Sequence, residues 1–83
     1  MNKEEATKLM NDKYLNFLEK KVKQIHTSEI FTVKKIEVEP MKTESKIYEI
    51  NFTFDKKFRK PLDNISQWTM CNHSGFDAWF ILV

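Results

Sequence analysis

The apolar positions of the first 25 residues recur at three- and four-residue spacing, which predicts a helix over residues 3–25. Asn2 can cap this helix, with Glu5 three positions later as in a capping box. The apolar arc is wider than a single stripe, so the helix either lies in a curved sheet of its own chain or also contacts another chain. Its members are Ala6, Leu9, Met10, Tyr14, Leu15, Phe17, Leu18, Val22 and Ile25.

Two segments alternate apolar and polar residues, as half-buried strands do. Residues 30–39 form the first, and their alternation changes phase at Lys34 and Lys35, which indicates a β-bulge before Pro40 ends the strand. Residues 47–55 form the second, and their one apolar face predicts an antiparallel sheet with one wet side. That face comprises Tyr48, Ile50, Phe52 and Phe54.

The last third of the chain is less regular. Residues 62–64 predict a turn, and residues 65–71 fit a strand or a short helix that begins at Pro61, of which we favour the strand. Residues 72–75 predict another turn, and residues 76–83 a strand. Because its end is apolar on both sides, with Trp79 and Phe80 on opposite faces, this strand should be central or covered by a partner.

These elements predict an α+β fold in which an N-terminal helix packs across a three- to four-stranded antiparallel sheet. Residues 1–83 should form one compact domain. At the level of architecture, this order of helix and strands resembles the cystatin-like arrangement.

Composition excludes several classes of protein. Gly75 is the single glycine and Cys71 the single cysteine, so the chain has neither a glycine-rich phosphate loop nor an internal disulfide. No apolar run approaches the roughly 20 residues of a membrane span, and no signal peptide is evident, so we expect a cytoplasmic protein without a membrane partner. The 14 basic and 12 acidic residues are interleaved, giving a net charge of +2 and no basic or acidic tail.

Two sets of residues could support chemistry. Cys71, His73 and Asp77 could act as nucleophile, base and orienting group, and His26 could join His73 and Cys71 around a metal. So short a chain has little material for an oxyanion hole, and the histidine and cysteine spacing is not that of a metal site. We therefore predict no enzyme activity, no metal site and no cofactor.

The leading functional prediction is a small protein-binding module that docks on a target protein and forms a homodimer. The scarcity of Arg, Ala and Gly beside abundant Lys, Ile and Asn indicates an AT-rich genome, which suggests an inhibitor or antagonist encoded by a bacterial phage or mobile element. Large aromatics and arginine dominate interface hot spots. The candidate contacts are Phe58, Arg59, Trp68, His73 and Trp79.

The alternative prediction is a nucleic-acid-binding accessory protein that uses the basic segment 56–60. Lysines would contact phosphates while an aromatic ring stacks on a base. The candidate lysines are Lys34, Lys35, Lys56, Lys57 and Lys60.

Overall fold

The computed structural model describes residues 1–63 and 65–83. Across these residues, two short α-helices pack on a five-stranded antiparallel sheet in the order β4-β3-β2-β1-β5. The predicted α+β class and antiparallel sheet are confirmed, with one strand more than the upper expectation. The elements are α1 (Lys3–Leu9), β1 (Lys21–Gln24), β2 (Ile30–Pro40), β3 (Tyr48–Phe58), β4 (Trp68–Asn72), α2 (His73–Trp79) and β5 (Phe80–Leu82).

The N-terminal helix is shorter than predicted. The Asn2–Glu5 capping box is present, and α1 continues through a π-helical turn and a 3₁₀ turn to Phe17. Leu18 then turns to extended backbone and Glu19 adopts a positive φ of 62°, which a helix does not tolerate. The prediction of a helix to residue 25 is therefore wrong at its last two turns.

The segment that was predicted as the end of the helix is instead strand β1. Its residues alternate between exposed and buried, and β1 pairs with β2 on one side and β5 on the other. Val22 and Gln24 both face the core. The buried Gln24 amide is satisfied because its Nε2 donates to the Arg59 carbonyl (2.6 Å) and its Oε1 accepts from Thr27 (2.8 Å).

The two alternating segments are strands as predicted. In β2 and β3 the register shifts between Val33 and Lys35, which confirms the predicted bulge. Ile50, Phe52 and Phe54 are buried on one face of β3. β3 continues three residues beyond the predicted end, to Phe58, and so includes the start of the basic segment.

Of the predictions for the region after the basic segment, some are confirmed and others are wrong. A turn is present at Leu62, which has a positive φ of 65°; Asn64 of that predicted turn lies outside the described residues. The favoured strand assignment is confirmed for residues 68–71, which belong to β4, and is wrong for residues 65–67, which precede the strand. The predicted turn over residues 72–75 is wrong, because the Asn72 side chain caps α2 by accepting from the Gly75 N–H at 2.9 Å.

The C-terminal strand is also much shorter than predicted, and it lies at an edge of the sheet rather than at its centre. Trp79 ends α2 and is half-buried, whereas Phe80 begins β5 and is buried. The two side chains thus do not occupy opposite faces of one strand. Phe80 instead shares the core with Phe76, one helical turn earlier.

Both helices cover the same face of the sheet through a cluster of aromatic rings. Phe76 of α2 stacks on Phe52 of β3 with ring centroids 4.0 Å apart. Tyr14 packs edge-on against Phe52 at 5.2 Å and donates a hydrogen bond to Asp77 of α2 at 2.6 Å. This packing fixes α2 beside β4, where a groove of the described surface lies.

Candidate functional site: the groove along strand β4

A groove of about 930 Å³ runs along the outer edge of β4. We call it the β4 groove. α2 forms one wall, β4 forms the floor, and the outer face of β3 with the end of β2 forms the other wall. The residues that line it include Glu39, Glu49, Asn51, Lys57, Lys60, Trp68, Met70, Asn72, Gly75 and Trp79.

The hydrogen-bond register of the sheet determines which backbone groups of β4 face this groove. Near the start of β3, the N–H of Ile50 points toward the β4 side, because it donates to Nδ1 of His73 at 3.2 Å. Phe52 lies two residues after Ile50, so its backbone N–H and C=O also point toward β4. Its partner there is Cys71, and the backbone N–H and C=O of Cys71 therefore point inward to β3. The backbone N–H and C=O of Met70 and the N–H of Asn72 consequently face away from β3, into the groove, whereas the Asn72 carbonyl begins the hydrogen bonding of α2.

An independent set of bonds supports this register. The Met41 N–H donates to the Ile47 carbonyl at 2.8 Å, on the β2 side of β3. The Tyr48 N–H points the other way and donates to the Met1 carbonyl at 2.7 Å. Alternate residues of β3 thus face β2 and β4, and beyond the end of β4 the Met1 carbonyl and His73 continue the ladder.

One end of the groove is aromatic and basic. Lys60 places its ammonium 4.0 Å from the centroid of the Trp68 ring and 5.7 Å from that of Trp79. Such cation–π contacts hold the lysine and the two indoles together. Trp79 lies directly over Gly75, where an added Cβ would come within 2.7 Å of its ring. Lys57 lines the same end, which we call the basic end.

The other end of the groove is acidic. Glu39 and Glu49 are partners across β2 and β3. Glu39 accepts a hydrogen bond from the Asn51 amide, and Glu49 accepts one from the Asn72 amide, each at 3.3 Å. Lys42 also lines this part of the groove, so its formal charge is −1. We call it the acidic end.

The five predicted docking residues fall into three groups. Trp68, 41% exposed, and Trp79 line the groove together. Phe58 is 2% exposed and belongs to the core, where it packs edge-on against Phe31. Arg59 is exposed but does not line the groove, and the ring of His73 is engaged with the Ile50 N–H.

The predicted nucleic-acid lysines are divided as well. Three of them pair with carboxylates: Lys34 with Glu19 (3.1 Å), Lys35 with Glu37 (3.0 Å) and Lys56 with Glu29 (3.2 Å). The other two, Lys57 and Lys60, line the groove. Within residues 1–63 and 65–83, neither of these two takes part in an ion pair.

Cys71, His73 and Asp77, the possible nucleophile, base and orienting group, all have structural contacts in the fold. Burial, opposed by the charge of Lys60 and reinforced by that of Asp77, raises the pKa of the Cys71 thiol to about 12. Asp77 accepts the Tyr14 hydroxyl and lies 3.7 Å from the Lys13 ammonium, while His73 Nδ1 accepts from Ile50. Among the described residues, no group of three or more His, Cys, Asp or Glu is placed to hold a metal ion.

Sequence reasoning found the two tryptophans and two of the lysines but missed the acidic end and the outward-facing backbone of β4. The segment from Trp68 to Asn72 does carry a signal, since it has neither the charge nor the proline that commonly protects an edge strand. Strand order, which the sequence did not provide, is needed to see that it lies at an edge.

Comparison with known protein families, curated proteins and solved structures gives no match for this chain. In the part of the chain that the structure describes, no helix combines the length and the apolar character needed to cross a membrane.

Proposed function

We propose that the protein is a non-enzymatic protein-binding module that docks an extended segment of another protein along the free edge of β4. The observation that carries this proposal is the outward-facing backbone N–H and C=O of Met70 and N–H of Asn72 at the floor of a groove. A strand added there would bond to these groups as strands bond in any antiparallel ladder. Each such bond contributes a net of roughly 0.5–1.5 kcal/mol.

Trp68 and Trp79 supply the apolar contact that backbone bonds alone would lack. Both line the groove and contact the Lys60 ammonium, and Trp79 also packs against the core ring of Phe58. Rigid aromatic side chains lose little entropy on binding, which suits them as anchors. Arg59, Phe58 and His73 are not needed for this mode of docking.

The finer biological role belongs to the same proposal. An inhibitor or antagonist that acts in the cytoplasm of an AT-rich bacterium, encoded by a phage or mobile element, is consistent with the small size and the amino-acid usage. A homodimer would use the second sheet edge, β5, and would leave β4 for the target.

A proline at position 70 tests the proposal. Because the Met70 N–H points into the groove, Met70→Pro removes a docking donor without removing a β3–β4 bond, so the variant is expected to fold. Peptides selected from a displayed random heptapeptide library on the wild-type protein should bind Met70→Pro at least tenfold more weakly. Met70→Thr changes the side chain and keeps the N–H, and it is the matched control.

The proposal fails if the library yields no binders, or if the selected peptides bind the wild type and Met70→Pro equally. Circular dichroism of Met70→Pro establishes that the variant is folded. Weaker binding to Met70→Thr as well as to Met70→Pro would assign the recognition to the thioether and not to the strand edge.

A second candidate function is binding of single-stranded nucleic acid, favoured by Lys57 and Lys60 beside two indoles. Aromatic rings can stack on bases while lysines contact phosphates. Fluorescence anisotropy with a labelled oligonucleotide at low salt should then show binding that Lys57→Ala/Lys60→Ala weakens far more than Lys34→Ala/Lys35→Ala. Equal loss in the two double variants, or no binding at low salt, rejects this function.

A further inference from the structure

We propose that the β4 groove selects the direction and the charge order of its peptide. The bound segment runs antiparallel to β4, with a basic side chain toward its N-terminal end and an acidic side chain toward its C-terminal end. This inference rests on the proposed function and specifies the chemistry of the partner.

Opposite charges lie at the two ends of β4. The acidic end lies beside Asn72, since the Asn72 amide itself bonds to Glu49. The basic end lies beside Trp68, the first residue of β4, where Lys60 sits over the indole. The five residues of β4 therefore run from a basic to an acidic environment.

Four charged side chains that line the groove form no ion pair within the described residues. Lys57 and Lys60 take part in none of the ion pairs of the described residues, and the same is true of Glu39 and Glu49. Among the residues that the structure describes, the two carboxylates bond to the uncharged amides of Asn51 and Asn72 and to no other side chain. A ligand that brings a cation to one end and a carboxylate to the other would meet partners at both.

The antiparallel pairing of the sheet determines the direction of the bound segment. Every strand pair of this sheet is antiparallel, and antiparallel ladders are slightly more stable per residue than parallel ones. An antiparallel neighbour of β4 begins beside Asn72 and ends beside Trp68. Charge complementarity then places the basic residue first and the acidic residue last, with uncharged residues opposite Met70.

Two capped peptides of identical composition test this inference. The first is acetyl-Thr-Lys-Val-Thr-Val-Glu-Thr-amide, and the second exchanges the Lys and the Glu. Titration of the labelled protein, followed by the amide signals of β4, gives both affinity and location. The first peptide should bind roughly 3- to 30-fold more tightly, the range expected for two exposed ion pairs gained rather than lost.

A charge-exchanged protein provides the matched control. Lys57→Glu/Glu49→Lys retains the composition of the groove and should reverse the preference, so that the second peptide binds more tightly. Lys57 is used rather than Lys60 because Lys60 also holds the two indoles. A nitroxide on the N-terminus of the first peptide should broaden the amide signal of Asn72 more than that of Trp68.

The possible results separate the two proposals. Equal affinity of the peptides, an unchanged preference in the exchanged protein, or broadening at Trp68 overturns the directional inference and leaves edge docking standing. If neither peptide shifts the β4 signals at millimolar concentration while library-selected peptides do, the charge order is again wrong. If no peptide of any kind binds, the proposed function fails together with the inference drawn from it.

Discussion

His73 shows how a single side chain can complete a backbone ladder. β4 ends at Asn72, so the next N–H of β3 on that side, from the fully buried Ile50, has a ring nitrogen in place of a carbonyl. Because Nδ1 accepts this bond, the proton of the neutral imidazole is on Nε2. The histidine is thus part of the β3–β4 junction.

Replacement of His73 should therefore lower the free energy of unfolding. His73→Phe keeps a ring of similar shape but leaves the Ile50 N–H buried without an acceptor, which costs about 1–3 kcal/mol in the free energy of unfolding. His26, the other histidine, is exposed, and His26→Phe should change it by less than about 0.5 kcal/mol. Urea denaturation measures both; equal losses would contradict the role given to His73.

The buried thiol of Cys71 should make the free energy of unfolding decrease at alkaline pH. Its pKa is raised from 9.0 to about 12 by burial, so above pH 9 the unfolded chain releases a thiol proton that the folded chain keeps. Stability is then complete below pH 9 and falls as the pH rises toward 12, by about 1 kcal/mol between pH 9 and 10. Tyr14, whose pKa is also raised by burial and by Asp77, acts in the same direction only above pH 10.

The variant Cys71→Ala isolates the thiol contribution. The difference in unfolding free energy between the wild type and Cys71→Ala should narrow by about 1 kcal/mol from pH 9 to pH 10. Denaturation curves at pH 8, 9 and 10 provide the comparison, and the interval from pH 8 to pH 9 should show a smaller change. A constant difference at all three pH values would mean that the thiol titrates alike in both states.

At the scale of secondary-structure elements, local pattern predicted β2, β3 and the helix start, because each depends on neighbours in sequence. The local pattern gave the wrong element at residues 21–24, because four alternating residues fit either a helical face or a strand. These residues form a strand because β1 pairs with both β2 and β5, which buries Val22 and Gln24. The local pattern failed again at Asn72, whose side chain serves turns and helix caps equally well. The docking site needed the order of strands, which no local pattern encodes.

Gly75 of α2 leaves room for the Trp79 ring, and its backbone does not require the conformational freedom of glycine. Alanine is favoured over glycine inside a helix by about 0.8–1.0 kcal/mol. At Gly75, however, the added methyl group would meet the Trp79 ring at 2.7 Å. We therefore expect Gly75→Ala to destabilise the protein by about 1–3 kcal/mol and to push the indole out of its place in the groove.

A double-mutant cycle with Trp79→Ala gives the decisive measurement. In the Trp79→Ala background the obstacle is gone, so Gly75→Ala should stabilise α2 by up to about 1 kcal/mol, a reversal of sign. Chemical denaturation of the four proteins supplies the coupling free energy. The same sign in both backgrounds would show that the indole is not what requires glycine at this position.

For the molecule as a whole, the two edges of the sheet differ in what they offer. β4 has an aromatic and charged groove beside it, whereas β5 is short, wholly apolar and uncharged. The ladder to β1 contains bonds from Val83 to Lys21 and from Ile25 to Trp79, so the backbone of Leu82 faces away from β1. An uncharged edge of this kind pairs readily with a second copy of itself.

We therefore expect the protein to self-associate through β5 as its concentration rises, and a charge at this edge to prevent it. Leu82 is 58% exposed, so Leu82→Lys should leave the fold intact while making pairing of two β5 strands unfavourable. Ile65→Lys is the matched control, because Ile65 is 92% exposed and lies outside the sheet. Sedimentation equilibrium over a hundredfold range of concentration should show dimer for the wild type and Ile65→Lys but monomer for Leu82→Lys. A wild type that stays monomeric throughout, or a Leu82→Lys variant that still dimerises, would exclude β5 as the dimer interface.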